Sequence, residues 1–175
     1  MTMKELESWI KVYGKDIYNF CLHLTRDKSL AEDLYQDTFL TAIQKQKHIE
    51  NEANVKGYLL SISIGLWKNA KRKLAWRNRI AQMGQLDDVT EHFLNYIERD
   101  VVLEDEQKMM IRNAVQRLSE KYRIVILLFY MQELSQEEIA NILHIPVGTV
   151  KSRLYTAKQF LKSELEEYFH EGLFG

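Results

Sequence analysis

The stretch HIPVGTVKSRLYTAKQFL, from His144 to Leu161, gathers the polar residues whose spacing suggests a single task. At a helical repeat, Ser152, Tyr155, Thr156 and Gln159 share one side, with Lys151 and Lys158 on one border and Arg153 on the other. Val150, Leu154, Ala157 and Leu161 share the opposite side, as a buried stripe would. Short hydroxyls and an amide can reach base edges in a major groove, and cations at the borders can meet phosphates. Gly148 and Thr149 would let backbone amides approach a phosphate at the helix start. The same periodicity would serve a solvated helix in an ordinary bundle. For bond-making chemistry the chain offers little. His23, His48, His92, His144 and His170 are scattered, with no HExxH, phosphate-cradling Gly loop or nucleophile elbow. No catalytic residue, metal site, cofactor or small-molecule substrate is expected.

The elements around this stretch explain its layout. Pro146 is the only proline, and it cannot continue a helix because it lacks an amide hydrogen and clashes with the preceding turn. A helix from Ser135 must therefore stop, and a second starts close to Pro146 and runs to about Glu167. Ser135 and Glu138 have capping-box spacing, with Ile139, Ala140 and Leu143 as the buried face. Two helices joined by a short turn make a helix-turn-helix, at about residues 135–159. Upstream, EQKMMIRNAVQRL is amphipathic through Met110, Ile111, Ala114, Val115 and Leu118. Ser119 can cap the next helix, whose run from Ile124 to Met131 is apolar on every side and so central to a core.

The N-terminal half holds three more helices. Leu6, Trp9, Ile10, Tyr13, Ile17, Phe20 and Leu24 form one stripe. Cys21, the only cysteine, falls in the same apolar series and is expected in the core, with neither a disulfide nor a CxxC site possible. The next helix, from near Ser29, sets Ala31, Leu34, Thr38 and Ala42 against Asp33, Gln36, Asp37 and Gln44. The third runs from about Val55 to Arg79, with Leu59, Ile62, Leu66, Ala70 and Leu74 clustered and Trp67 at their edge. Its other side collects Ser61, Gly65, Lys68, Arg72 and Arg79, flanked by Asn69 and Trp76.

The net charge of −1 argues against a nucleic-acid protein until its distribution is seen. KNAKRKLAWRNR, Lys68 to Arg79, carries six cations and no acid, whereas Met83 to Glu106 carries eight acids against Arg99 alone. The acidic segment is weakly periodic and reads as a linker, with HFLNYI able to form a turn of helix. The expected organisation is all-α, with two small helical domains at 1–82 and 108–175 joined by an acidic linker at 83–107. IVILLFYM is far short of the roughly 20 residues that span a bilayer, and the N-terminus lacks signal-peptide character, so a cytoplasmic location is expected.

The tract LSEKYRIVILLFYMQELSQEEIANILHIPVGTVKSRLYTAKQFLKSEL resembles the C-terminal promoter-binding domain (σ4) of extracytoplasmic-function (group 4) RNA polymerase sigma factors, most specifically in IPVGTVKSRL. AEDLYQDTFLTAI, followed by GYLLSISIGLWKNAKRK, is similar to their N-terminal domain (σ2). The resemblance implies a σ2-like bundle and a σ4-like helix-turn-helix domain, with core RNA polymerase (its β′ coiled coil and β flap), promoter DNA and an anti-sigma factor as partners. It places Asp33, Gln36, Asp37 and Leu40 on the β′ coiled coil. It turns the third helix to the −10 element through Ser61, Lys68, Asn69, Arg72, Trp76 and Arg79, with Lys68, Arg72 and Arg79 on phosphates. Trp76 is then the candidate base platform, Trp67 a core residue, and the Lys45 to Lys56 connection lies near an unstacked base. The −35 element falls to Thr149, Lys151, Ser152, Arg153, Tyr155, Thr156, Lys158 and Gln159. Two departures matter: Gly65 stands where relatives often carry Asn, and Thr156 where many carry Arg. Any base contact through the first side chain and a cation at the second are missing here. The family's linker threads toward the RNA exit path, where a negative strand can occupy a basic channel; a merely soluble tether fits the composition as well.

From Ser135 to Gly175 four Lys or Arg face six Asp or Glu, so counterion release supplies little affinity and free DNA binding should be feeble. A conventional repressor or activator would instead need self-association to set two reading heads one helical turn apart. An enzyme, or a helical scaffold that binds only proteins, are the other classes this pattern has to be weighed against.

Overall fold

The computed structural model describes residues 3–45, 54–81 and 106–170, and all regular structure among them is helical. The chain divides into two compact units, Met1–Arg99 and Asp100–Gly175. Nearly all of the expected linker, HFLNYI included, lies outside the described residues, and its last two positions, Glu106 and Gln107, are already helical.

The first unit is α1 (Met3–Thr25), α2 (Lys28–Gln44) and α3 (Val55–Ala81). Ile17, Phe20, Cys21 and Leu24 of α1 are fully buried. The expected stripe is covered only from Gly14 onward, and Ile10 is 41% exposed. Thr25 closes α1 by donating its hydroxyl hydrogen to the Cys21 carbonyl at 2.8 Å. Arg26 then turns left-handed at φ 58°, and Asp27 caps α2 by accepting the Leu30 amide at 2.8 Å. On α2 the buried side is Ala31, Leu34, Thr38, Phe39 and Ala42, the expected set with Phe39 added. Tyr35 meets Tyr18 and Phe39 edge-on, with ring centroids 5.7 and 5.0 Å apart. That packing needs Gly14, because a Cβ there would stand 2.9 Å from the Tyr35 hydroxyl.

Between α2 and α3 the interface is polar at its centre. Thr38 and Ser63, both fully buried, place their hydroxyl oxygens 3.0 Å apart. Each also lies within donating distance of the carbonyl four residues back, Leu34 at 2.7 Å and Leu59 at 2.9 Å. One hydroxyl donates across the interface while the other turns to its own helix, so neither polar atom is stranded in the core. Burial pushes the neighbouring Cys21 thiol up to about 12, against a smaller opposing effect of the Ser63 hydroxyl, so the sulfur sits as a neutral core atom.

α3 departs from the expected pattern. Leu59, Leu60, Ile62, Ser63 and Ile64 are buried, but every residue from Lys68 to Ile80 is exposed, Ala70 and Leu74 included. Its 27 residues run about 40 Å, whereas the 17 of α2 run about 26 Å, so the last turns outrun the helix that covers the first ones.

The second unit is α4 (Glu106–Arg117), α5 (Glu120–Ile126) continuing through a π-helical turn (Leu127–Met131), α6 (Gln136–Leu143) and α7 (Val147–His170). Ile124 to Leu128, Ile139, Ala140, Val150, Leu154 and Ala157 form its core with Ala114 and Leu118. Ser119 stands at the N-cap of α5, but its hydroxyl makes no cap bond; its carbonyl accepts the Tyr122 and Arg123 amides instead. Buried Arg123 reaches back to the Leu118 carbonyl at 3.2 Å and fastens the α4–α5 turn. Five expected core positions lie at the edge: Ile111 is 47% exposed, Met110, Val115 and Leu161 are half-buried, and Leu143 is half-buried with Ile142 buried in its place. The run from Ile124 is central only as far as Leu128. The π turn, closed by Gln132 donating to Leu127 at 3.1 Å, fits an extra residue into the coil and turns Tyr130 outward, 55% exposed.

Candidate nucleic-acid interface

The helix-turn-helix is assembled by local rules. Ser135 accepts the Glu138 amide at 3.1 Å, and the Glu138 carboxylate accepts the Ser135 amide at 2.7 Å, completing the capping box. At the other end of α6, His144 adopts the left-handed conformation at φ 53°, and the Ile145 amide bonds the Ala140 carbonyl at 3.1 Å. This is the six-to-one closure in which glycine normally occupies the left-handed position. Pro146 follows, and its carbonyl accepts the Thr149 and Val150 amides at 3.0 and 3.2 Å to begin α7. The lone proline thus ends one helix and starts the next, with three residues between them.

That turn sets the rotation of α7. Val150, Leu154 and Ala157 are buried, leaving Lys151, Ser152, Tyr155, Thr156, Lys158 and Gln159 exposed and Thr149 and Arg153 half-buried. The opposed faces expected from spacing are present. Two details differ. Thr149 has its amide committed to Pro146, so Gly148, with open space where a Cβ would stand, is what keeps this end of the backbone approachable. Ser152 donates its hydroxyl to the Thr149 carbonyl at 3.0 Å, leaving the oxygen lone pairs outward as acceptors. Lys158 is not a loose border cation: its ammonium lies 5.4 Å from the Phe129 ring centroid and 5.7 Å from that of Tyr130. Sequence periodicity passes over Phe129 and Tyr130 because they end an apolar run, and the π turn that turns them out leaves no mark in a hydrophobicity pattern.

In the first unit, the exposed end of α3 carries Lys68, Asn69, Arg72, Trp76 and Arg79 on one face, with Gly65 in line and Ser61 half-buried at its base. Among the described residues Lys68 and Arg79 form no ion pair, while Arg72 donates to the Asn69 amide oxygen. Trp76 is 66% exposed. Trp67 is half-buried with the Lys71 ammonium 5.9 Å from its ring, so it stands at the edge of the core rather than within it. A side chain at Gly65 would meet nothing within 4 Å. Lys56 is ion-paired to Asp16 at 3.1 Å, and most of the connection between Lys45 and Lys56 lies outside the described residues. On α2, Asp33, Gln36, Asp37 and Leu40 form an exposed outer face, Leu40 being 55% exposed among the polar residues.

The chemistry these surfaces offer is hydrogen bonding, ion pairing and stacking. Among the described residues no cluster of His, Cys, Asp or Glu could hold a metal ion, and no helix is long and apolar enough to cross a membrane.

Residues 9–77 match the Sigma-70 region 2 family and residues 108–161 match Sigma-70, region 4. The chain is 29% identical over 163 residues to the ECF RNA polymerase sigma factor SigM of Bacillus subtilis, covering 93% of this chain and 94% of the relative. It is 30% identical over 152 residues to the ECF RNA polymerase sigma factor SigL of Mycobacterium tuberculosis, covering 86% and 83%. The fold is that of the sigma factor RpoE from Bartonella quintana, solved with the anti-sigma factor NepR, at a TM-score of 0.77 and 24% identity over 94% of this chain and 98% of the other. With two sigma-70 regions in order along one chain, and relatives that share nearly its full length, this protein belongs to the ECF RNA polymerase sigma factors.

Proposed function

We propose that the chain is a promoter-specificity subunit that binds core RNA polymerase and directs initiation at promoters carrying −10 and −35 elements. The observation that carries this reading is the pairing, on one polypeptide, of a capped helix-turn-helix with an open polar face and a long helix end that is rich in exposed cations and bears an exposed indole. In this reading α7 takes the −35 duplex, with Arg153, Lys151, Ser152 and Thr156 at base edges and flanking phosphates. The exposed end of α3 takes the −10 strand, with Lys68, Arg72 and Arg79 on phosphates and Trp76 as a stacking platform. The acidic outer face of α2, Asp33, Gln36, Asp37 and Leu40, docks on the β′ coiled coil, and the second unit reaches the β flap.

Polymerase performs the phosphodiester chemistry, so the subunit contributes no catalytic group, and it acts in the cytoplasm. RpoE was solved with its anti-sigma factor, and a comparable protein partner for this chain is part of the proposal. Recruitment also accounts for the acid excess of the C-terminal segment: polymerase supplies affinity and the small domain supplies sequence choice. The isolated chain should bind promoter DNA feebly and the holoenzyme specifically; tight, core-independent footprints at physiological salt would contradict this.

Paired core pull-down and runoff transcription test the division of roles. Arg153→Ala is expected to lower −35-dependent initiation about tenfold, the effect of one good base contact, with core capture intact. Asp37→Arg is expected to lose core capture itself. Equal failure of both variants in the same assay would refute the assignment.

A further inference from the structure

We propose that Phe129 and Tyr130 are positioning residues, which hold Lys158 on their rings and aim it as a phosphate clamp at the border of the reading face of α7. The proposal rests on the −35 reading of the second unit. The two rings meet edge-on, 5.0 Å apart and 81° between planes, and the Lys158 ammonium is within 5.4 and 5.7 Å of both centroids. These distances lie inside the roughly 6 Å over which a ring quadrupole attracts a cation. The rings restrain a long flexible side chain without neutralising it, as a carboxylate would. Among the described residues no carboxylate pairs with Lys158, so its charge and its outward N–H groups stay free for an anion.

The arrangement exists because the chain after Ile126 winds as a π turn and so lifts Tyr130 out of an otherwise buried run. Lys151 is an internal control. It lies on the same border seven residues earlier, exposed, with no ring contact among the described residues. A restrained cation should contact the backbone with less entropy lost on binding than a free one, and it should do so without regard to base sequence.

The test uses full-length protein in holoenzyme with core polymerase, measuring affinity for a duplex carrying the preferred −35 element over a series of salt concentrations. Lys158→Gln is expected to weaken binding on all sequences and to reduce the slope of log K against log salt by about 0.9, one phosphate contact. Tyr130→Leu should weaken binding about threefold, the loss of an exposed cation–π contact, with Tyr130→Phe restoring it. In the Lys158→Gln background Tyr130→Leu should have no further effect, whereas combined with Lys151→Gln it should add in full. A Tyr130→Leu loss that persists undiminished without Lys158, or a phenylalanine that fails to rescue, would overturn the proposal, because either means the ring supports only the fold. Arg153→Ala separates the two levels. If it relaxes sequence choice while the Tyr130 and Lys158 variants are silent, the clamp alone is wrong; if it leaves promoter choice untouched, the −35 reading falls and the clamp with it.

Discussion

The two units solve the problem of presenting cations in opposite ways. In the first, α3 buries its initial turns through Leu59 to Ile64 and then leaves every side chain from Lys68 to Ile80 in the open. In the second, α7 keeps Val150, Leu154 and Ala157 buried, so its polar residues share one fixed direction. An uncovered helix end offers side chains all round and suits a strand whose bases are splayed; a helix held on one side suits the defined edge pattern of a major groove. The same periodicity of apolar and polar residues therefore has different meanings in the two places, and coverage by neighbouring helices decides which.

The largest expected effect tests that coverage directly. Leu154 and Leu74 both occupy stripe positions, but the first is 2% and the second 45% exposed. Leu154→Ala should cost about 2–5 kcal/mol of stability, whereas Leu74→Ala should stay within about 0.5 kcal/mol, as read by denaturant unfolding of the full chain. Similar losses at both would mean that the end of α3 is covered after all.

Capping gives the next effect. The side chains of Asp27 in the first unit and Ser135 in the second both accept an amide, whereas the Ser119 hydroxyl does not. Alanine at either true cap should cost about 1 kcal/mol, and at Ser119 less than about 0.5 kcal/mol, in the same unfolding measurement. Two stabilising changes of no greater size sharpen the contrast. Gly65→Ala places a methyl in open space on a helix and should gain at most about 1 kcal/mol in the first unit. His144→Gly relieves a left-handed residue and should gain a similar amount, about 1 kcal/mol, in the second. Unfolding followed by probes placed separately in each unit would assign each gain to its place.

Thiol chemistry supplies a last check. With Cys21 fully buried and its thiol pushed up to about 12, native protein should resist thiol reagents at pH 8 and react only when unfolded. The sign follows from the thiol staying neutral in the fold: this contribution to stability is complete below the ordinary value of 9.0 and fades as pH rises toward 12. Rapid labelling of native protein would show that the first unit opens readily.

Much of this was legible in the residues. Ser135 with Glu138, and Pro146 after a short amphipathic run, specify a capped helix, a turn and a new helix from local chemistry alone, and the structure forms each. The outward places of Asp33, Gln36 and Asp37 on α2 and of the polar side of α7 follow from spacing, because a helix already covered on one side leaves only one other, whereas Leu40 rests on the family resemblance alone. Ala70, Leu74 and Ile111 were misplaced for the converse reason: an apolar residue at the right phase is buried only where another element reaches it.

Composition, helical period and breakers by themselves determined an all-helical chain, the position of its helix-turn-helix and the separation of its charges, since these depend on residues within a few turns of one another. Tertiary structure alone decided how far along α3 the core extends, which hydroxyls meet between α2 and α3, and that Tyr130 leaves the core to sit beneath Lys158. Those outcomes depend on the lengths of neighbouring helices and on one widened turn, quantities set by packing across the fold rather than by any short run of sequence.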